Sequence, residues 1–577
     1  MKPQKIVRRQ PVGMADAMPG SMHPVLRRLY AARGVASARD IDHRLANLLP
    51  PQTLGGIDAA CALLEDALRG HERIVVVGDF DADGATGTAV AVRGLRALGA
   101  ADVGYAVPNR LRHGYGLSPA IVGEILARNP RLLITVDNGI AAHAGVAAAR
   151  AHGMRVVVTD HHLPGASLPD ANAIVNPNAP GDGFASKALA GVGVMFYLLL
   201  ALRARLRRSG WFSERAEPDL STLLDLVALG TVADLVPLDY NNRVLVEAGL
   251  RRIRAGRACP GVVGLLEDGK RDPARAVASD LAFAVAPRIN AAGRLEDMSI
   301  GIECLLCDDP TRARQLAATL GAINSERREL QSAMVDQAAA AVRDRMSAVG
   351  ADGLAHGVVL FDPGWHQGVV GLVASKLKEA LGRPVIACAA AAEGSDEVKA
   401  SGRSIAGFHL RDALAEIDAR EPGLLLRFGG HAMAAGLSLR RQDIDAFSVL
   451  FDSVVRERLG AQQLSPELCT DGELAAQDFT LDLAQQLRFG GPWGQGFPEP
   501  LFDGVFDVEG WKVVGERHLR LVLRAQGSVA PLTAMCFDAE ELMPPPRRLR
   551  AVYQLEADEW DGTPRLRLLV RQAFAEG

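Results

Sequence analysis

The chain has 577 residues, a formal net charge of −4, 48% apolar residues and 5% aromatics. That length implies several domains, and the apolar content fills several cores, which excludes a wholly disordered chain. Sparse aromatics argue against a binder that relies mainly on base stacking. The mild acidity argues against a uniformly basic nucleic-acid protein, although carboxylates clustered round cations would mask basic patches in the sum.

The start, MKPQKIVRRQPVG, lacks the apolar core of a secretory signal. Residues 1–70 read as a segment packing on the domain that follows. From Ile74 to Pro237 strand and helix alternate. Ile74-Val75-Val76-Val77, Leu132-Leu133-Ile134-Thr135-Val136 and Val156-Val157-Val158-Thr159 are short runs rich in β-branched residues, separated by helical stretches. Such runs predict parallel strands buried on both faces, in a doubly wound α/β domain over 71–345. A helix is predicted from Gly87 to Leu98, and 192–202 reads as a buried helix too short to span a bilayer. Arg251, Arg252, Arg254 and Arg257 form a basic run, read equally well as a solvated helix face. A long helical connector is predicted from Pro310 to Met346. A smaller α/β unit covers 350–460, with turns at Gly402 and Gly429-Gly430, and residues 464–577 suggest a β-barrel of the oligonucleotide-binding kind. Seven cysteines without a paired framework fit a reducing compartment, and Cys304 and Cys307 read as one apolar helix face rather than a zinc site. The expected location is the cytoplasm, with no membrane partner.

The chemistry sits at the strand ends. Gly78-Asp79-Phe80-Asp81-Ala82-Asp83 places three aspartates at alternate positions, on one face if the backbone stays extended. Asp137 follows the second buried run, Asp160-His161-His162 the third, and Asp234 another apolar stretch. In open α/β sheets the ligand site lies beyond the carboxyl ends of the strands, so these groups are predicted to share one edge. Many carboxylates in one site repel each other and need cations, and hard oxygen ligands with an imidazole favour Mn²⁺ or Mg²⁺. A calcium loop is discounted, because its glycine and glutamate spacing is absent.

These residues resemble the motif series of the DHH phosphoesterase superfamily, and the whole chain resembles its single-stranded-DNA-specific bacterial exonucleases. Ser401-Gly402-Arg403-Ser404 and Phe428 through Gly436 resemble the DHH-associated domain, and Gly491 through Phe502 resembles the start of the oligonucleotide-binding domain. The resemblance implies an exonuclease that degrades single-stranded DNA from its 5′ end to 5′ mononucleotides, in recombination and repair, beside a single-strand-binding protein and a helicase. It implies that Asp81 and Asp83 each hold one metal ion, with Asp79 near the first. Asp137 bridges both ions, and His161 and Asp234 complete the second site. Asp160 orients the histidine pair and His162 faces the phosphate. Val77 stands where some members of the superfamily carry a metal-binding histidine. Asn109, Arg110, Arg288, Asn290, Arg294, Ser401, Arg403 and His431 are the candidates for holding DNA, arginine because its planar fork suits phosphate. A groove between the two α/β lobes is expected to admit one DNA strand and exclude a duplex, and the barrel to grip the downstream strand.

Two other readings stand beside this one. A member of the same superfamily acting on a small substrate, such as a short oligoribonucleotide or a cyclic dinucleotide, would have no need of a barrel. A non-catalytic replication scaffold would be expected to have lost metal ligands, and here the aspartates and histidines after Val77 are all present. A plain nucleotide-binding module lacks its G-x-x-x-x-G-K-[ST] loop.

Overall fold

The computed structural model describes residues 5–14, 18–109, 113–349, 355–392, 394–459, 467–528, 530–558 and 562–576, apart from the side chains of 345–349. Contacts divide the chain into two compact units. One is Arg8–Ile323 with Cys469–Gly577, and the other is Met1–Val7 with Asn324–Leu468. The division falls inside a helix that runs Pro310–Val349.

The first unit is built on five strands, β1 (Ile74–Gly78), β2 (Val103–Ala106), β3 (Leu132–Val136), β4 (Arg155–Thr159) and β5 (Ala173–Val175), ordered β2-β1-β3-β4-β5. All the pairings are parallel. Every residue of β1 and β3 is buried, as parallel strands covered on both faces require. The chain leaves β1 for the edge strand β2 and returns to β3, so the strand order reverses between β1 and β3, where open sheets place their ligands. Register pairs Gly78 with Val136 and Val136 with Thr159, which brings the ends of β1, β3 and β4 level. Helix α1 (Ala82–Ala97) packs with α2 (Gly191–Arg208) and α3 (Leu224–Ala233). All of α3 except its last residue is buried, which accounts for a segment that is apolar all round. Helix α1 starts at Ala82, five residues before the sequence suggested. Asp81 caps it, and the small residues that follow lie flat against neighbours. The basic run forms the end of the helix Tyr240–Arg254, where Arg251 and Arg254 pair with Glu247, and Arg252 lies 3.7 Å from Asp225.

The second unit holds β6 (Val358–Phe361), β7 (Val385–Ala390), β8 (Glu397–Arg403), β9 (Leu425–Gly430) and β10 (Ala434–Arg440), ordered β9-β10-β8-β7-β6. Only β6 and β7 pair in parallel. Val398, Ala400, Leu437 and Leu439 face a core closed by the helices Leu410–Arg420 and Ile444–Arg458. Ser401 and Arg403, at alternate positions, face the other side. Gly402 and Gly429-Gly430 are strand residues and not turns, because their backbones are held in the ladders of β8 and β9.

The barrel returns to the first unit. Its strands β11 (Phe502–Val514), β12 (His518–Ala525), β13 (Leu532–Cys536), β14 (Arg548–Asp558) and β15 (Arg565–Ala575) close in the order β11-β12-β13-β15-β14, with β13 and β15 parallel. The barrel thus begins at Phe502, well after 464. The preceding stretch is an interlock: Arg33 and Asp471, each with a side chain 1% exposed, form a two-pronged ion pair with both bonds 3.0 Å. Tyr30 stacks on Trp493 at 5.9 Å and donates to the Gly490 carbonyl at 2.6 Å. Removing everything after 464 would strip these N-terminal side chains of their partners. No helix among the described residues is long and apolar enough to cross a membrane.

Candidate metal centre

The three clustered aspartates converge by a route other than an extended face. Asp79 directly follows β1. Asp81 caps α1, its Oδ1 accepting from the Gly84 amide at 3.0 Å. Asp83 lies in the first turn of α1, 1% exposed, and its two oxygens accept from the Gly191 amide at 2.6 Å and the Val192 amide at 3.0 Å. Those amides open α2, where a helix favours negative charge. Asp137 follows β3, Asp160 follows β4, and Asp234 ends α3.

The side chains then meet. His161 Nε2 lies 3.1 Å from Asp137 Oδ1 and 3.4 Å from Asp234 Oδ2. Ligand atoms of Asp79, Asp81 and Asp137 lie within 4.8 Å of one another, as do those of Asp83, His161 and Asp234, and those of Asp137, His161 and His162. Asp160 has a different place. Its carboxylate accepts from the amides of Ile140 (2.9 Å), His161 (2.7 Å) and His162 (3.1 Å) and faces His162 Nδ1 at 2.8 Å. Asn176 and Asn178 donate to the His162 and His161 carbonyls at 2.9 and 2.6 Å, fixing the pair from behind.

This arrangement is out of electrostatic balance as it stands. Asp137 Oδ1, His161 Nε2 and Asp234 Oδ2 are buried without a hydrogen bond among the described residues. Burial first, then the neighbouring aspartates, pushes Asp137 and Asp234 well above the usual carboxylate range. Burial and Asp81 push Asp83 up to about 7. Burial and His162 push His161 down to about 4. Burial works against charge on His162 too, but the hydrogen bond to Asp160 together with the charges of Asp160, Asp234 and Asp79 outweighs it and raises this ring to about 9. Asp137 also holds φ 62°, and Leu235, just after Asp234, φ 60°. Both are left-handed conformations that cost side-chain-bearing residues energy and cluster at functional sites. Buried oxygens and one neutral imidazole nitrogen, gathered within 4.8 Å of one another, suit a hard or borderline divalent cation.

The other predicted residues are spread more widely. Asn290 accepts from the Ala82 amide at 2.8 Å and so braces the turn that carries Asp81 and Asp83. Arg288 is engaged by the Asp268 carboxylate at 2.6 Å and by the Ala284 carbonyl, so its fork is occupied within the protein. Arg294 lies in the last turn of the helix Ala286–Leu295. The Asn109 amide donates to His113 Nδ1 at 3.0 Å. Arg110 falls outside the described residues. In the second unit, Arg403 donates to Ser401 Oγ at 2.9 Å, and a Cβ on Gly371, at the start of the helix Val370–Leu381, would stand 3.0 Å from that oxygen. His431 follows β9, its amide bonded to the Ala434 carbonyl at 2.8 Å. Sequence reasoning passed over Tyr115, whose hydroxyl donates to the Asp137 carbonyl; the glycines flanking it were the available signal.

Comparison with known proteins places the geometry. Residues 73–231 match the DHH family, N-terminal domain; 353–457 match the DHHA1 domain; and 470–572 match the RecJ OB domain. The single-stranded-DNA-specific exonuclease RecJ of Dickeya dadantii is 52% identical over 98% of this chain and 99% of its own length. The chain belongs to the RecJ family. The RecJ of Escherichia coli is 49% identical over 99% of both chains. Among solved structures, RecJ from Thermus thermophilus in complex with Mn²⁺ superposes with a TM-score of 0.81 at 33% identity, covering 99% of this chain and 79% of that one. RecJ kinship thus extends over the sheet that carries the acidic cluster, the second α/β unit and the barrel.

Proposed function

We propose that this chain is a divalent-metal-dependent exonuclease that removes 5′ mononucleotides from the 5′ end of single-stranded DNA. The observation that carries the reading is the set of unpartnered buried atoms on Asp137, His161 and Asp234, in a chain whose full-length relatives are named single-stranded-DNA-specific exonucleases. Asp79, Asp81 and Asp137 would hold one cation, and Asp83, His161 and Asp234 a second, with Asp137 close to both groups. Mn²⁺ or Mg²⁺ fits these donors, and the imidazole tilts the choice to Mn²⁺. Such a pair, when bound, would supply Lewis acidity at the phosphate and lower the pKa of water.

The protein's own groups do the rest. Asp160 fixes the His162 ring through Nδ1 and keeps it protonated, so Nε2 offers a charged donor to an oxygen of the scissile phosphate. The bond that breaks joins phosphorus to the 3′ oxygen of the terminal nucleotide, leaving a 5′ phosphate on the shortened strand. Ser401, Arg403 and His431 offer a phosphate site in the second unit, and Asn109, Arg110 and Arg294 contribute positive or donor groups in the first. Arg288 contributes by tying its helix to Asp268, and Asn290 by bracing the aspartate turn. The barrel, of the oligonucleotide-binding type, takes the downstream single strand. The protein works in the cytoplasm, in recombination and repair, on strands delivered by a helicase or a single-strand-binding protein.

The test is degradation of strands labelled at either end, with Mn²⁺, Mg²⁺ or chelator, beside Asp137→Ala. Labelled mononucleotide released at once from the 5′ end, and absent with chelator and in the variant, supports the reading. Dinucleotide hydrolysis with long strands untouched would replace it with a small-substrate phosphodiesterase.

A further inference from the structure

Tyr115 lies between two glycines in left-handed backbone, Gly114 (φ 75°) and Gly116 (φ 64°). Asn138 clasps the loop onto the sheet edge. Its Oδ1 accepts from the Leu117 amide at 3.1 Å, and its Nδ2 donates to the Val77 and Val136 carbonyls at 3.0 and 2.9 Å. A Cβ on Gly116 would meet the Asn138 side chain at 3.1 Å, so only glycine lets the loop lie this close. The clasp brings Tyr115 onto the cluster. Its hydroxyl donates to the Asp137 carbonyl at 3.0 Å and lies 3.4 and 3.5 Å from the two ring nitrogens of His162. Its ring meets Phe80 at 6.0 Å and His162 at 5.9 Å, both nearly perpendicular. One side chain therefore touches three of the four segments that build the metal centre.

Two features separate it from a packing residue. It is 53% exposed, whereas a tyrosine kept for the core would be covered. The rings of Phe80 and His162 both meet it nearly perpendicular, so neither is stacked parallel on it. Its one strong hydrogen bond goes to the main chain of Asp137, the cluster residue held at φ 62°. That bond restrains a conformation the backbone would otherwise leave.

We propose that Tyr115 is a positioning residue joining metal geometry to substrate seating. The hydroxyl locks the Asp137 main chain so that its carboxylate stays aimed into the cluster, and the ring stacks on the base of the nucleotide being removed. The second half rests on the exonuclease reading; the first does not.

The experiment uses the full chain with Tyr115→Phe and Tyr115→Leu, both folded by circular dichroism at this exposed position. Mn²⁺ binding is followed by electron paramagnetic resonance of the free ion, without DNA. Y115F keeps the ring and loses the bond, and is expected to bind Mn²⁺ roughly five- to ten-fold more weakly, the worth of one hydrogen bond. Binding equal to wild type overturns the hydroxyl's role. Strands with an intact or an abasic 5′-terminal nucleotide are then compared. In the wild type and Y115F the abasic end raises KM roughly ten-fold or more, the worth of one aromatic–base stack, whereas Y115L treats both ends alike. Equal KM values in the wild type, or full discrimination by Y115L, overturn the ring's role. A wild type inert on every strand overturns the exonuclease reading, and the Mn²⁺ titration still decides the hydroxyl's part.

Discussion

Asp137→Asn should stabilise the metal-free protein while abolishing its response to metal. Asparagine has the same shape and tolerates the left-handed backbone at this position, so the change removes charge alone. Two carboxylates ~4 Å apart repel by roughly 4 kcal/mol at an effective dielectric of about 20. Proton uptake limits the penalty at about 4 kcal/mol near neutral pH, because lifting a carboxyl from its ordinary pKa costs about 1.4 kcal/mol per unit. A gain of about 2–4 kcal/mol follows, which for a unit of this size raises Tm by roughly 2–5 °C. The assay is thermal melting in chelator and in Mn²⁺. At a hundred-fold excess over Kd each bound ion adds about 2.7 kcal/mol to the wild type and little to the variant, so the gap should close or invert. A carboxyl raised in the folded state binds protons there that the unfolded chain has released, so its penalty grows as pH rises above about 4 and shrinks on acidification. The advantage of D137N should therefore fade by about pH 4. A lower Tm for D137N in chelator, or the same Mn²⁺ increment in both proteins, would refute the charge-repulsion account.

Three further outcomes follow from other parts of the molecule. His43 is buried, with Nε2 unpartnered, and burial and then Arg243 push it down to about 4. The unfolded chain takes a proton between about 6.5 and 4 that the folded ring refuses, so stability falls across that window by up to about 3 kcal/mol, and urea titrations of His43→Met should show the loss removed. Arg33→Leu leaves the buried Asp471 with Arg9 as its cation, 3.3 Å away, and should cost up to about 3 kcal/mol in urea unfolding, with much of it recovered in the double variant with Asp471→Asn. Arg403→Ala should raise KM for 5′-phosphorylated strands with kcat largely kept, and should lower the salt slope of DNA binding by about one; an unchanged slope would remove Arg403 from the phosphate site.

Much of the architecture could be read directly because parallel strands buried on both faces are continuous apolar runs. The runs at 74–77, 132–136 and 156–159 are β1, β3 and β4, and the aspartates after the first two lie together with the histidines after the third. What escaped depends on local chemistry that looks the same in different settings. Val103–Ala106 is too short and glycine-broken to stand out, yet it is the edge strand that creates the reversal between β1 and β3. Asp83 reads as a loop residue because glycine and aspartate surround it, yet the Asp81 cap starts the helix before it and the Gly191 and Val192 amides take its carboxylate. Gly402 and Gly429 read as turns, since a glycine's lack of a side chain serves a crowded strand as well as a bend. Tyr115 and Asn290 reach the cluster through contacts 22 and 208 residues apart in sequence, which no local pattern records.

Several breaks of local preference gather at one edge of one sheet. Asp137 is held at a positive φ, buried carboxylates face one another, and a histidine nitrogen has no hydrogen bond; elsewhere buried charges such as Asp471 and Asp503 are answered by arginines. A fold that pairs its charges so consistently could have paired these as well, with one arginine in place of Val77 or Asn138. Leaving them open costs stability, and only a ligand that supplies the missing positive charge returns it. The same edge holds the loop clasp at Asn138, the bond from Tyr115 and the amides on Asp160, each of which restrains a group that charge repulsion would push away. These restraints keep the carboxylates close before any cation arrives, so binding need not include the work of gathering them. Weakening a restraint should therefore appear first as lost cation affinity rather than lost fold, whereas removing a carboxylate should show the reverse sign in stability.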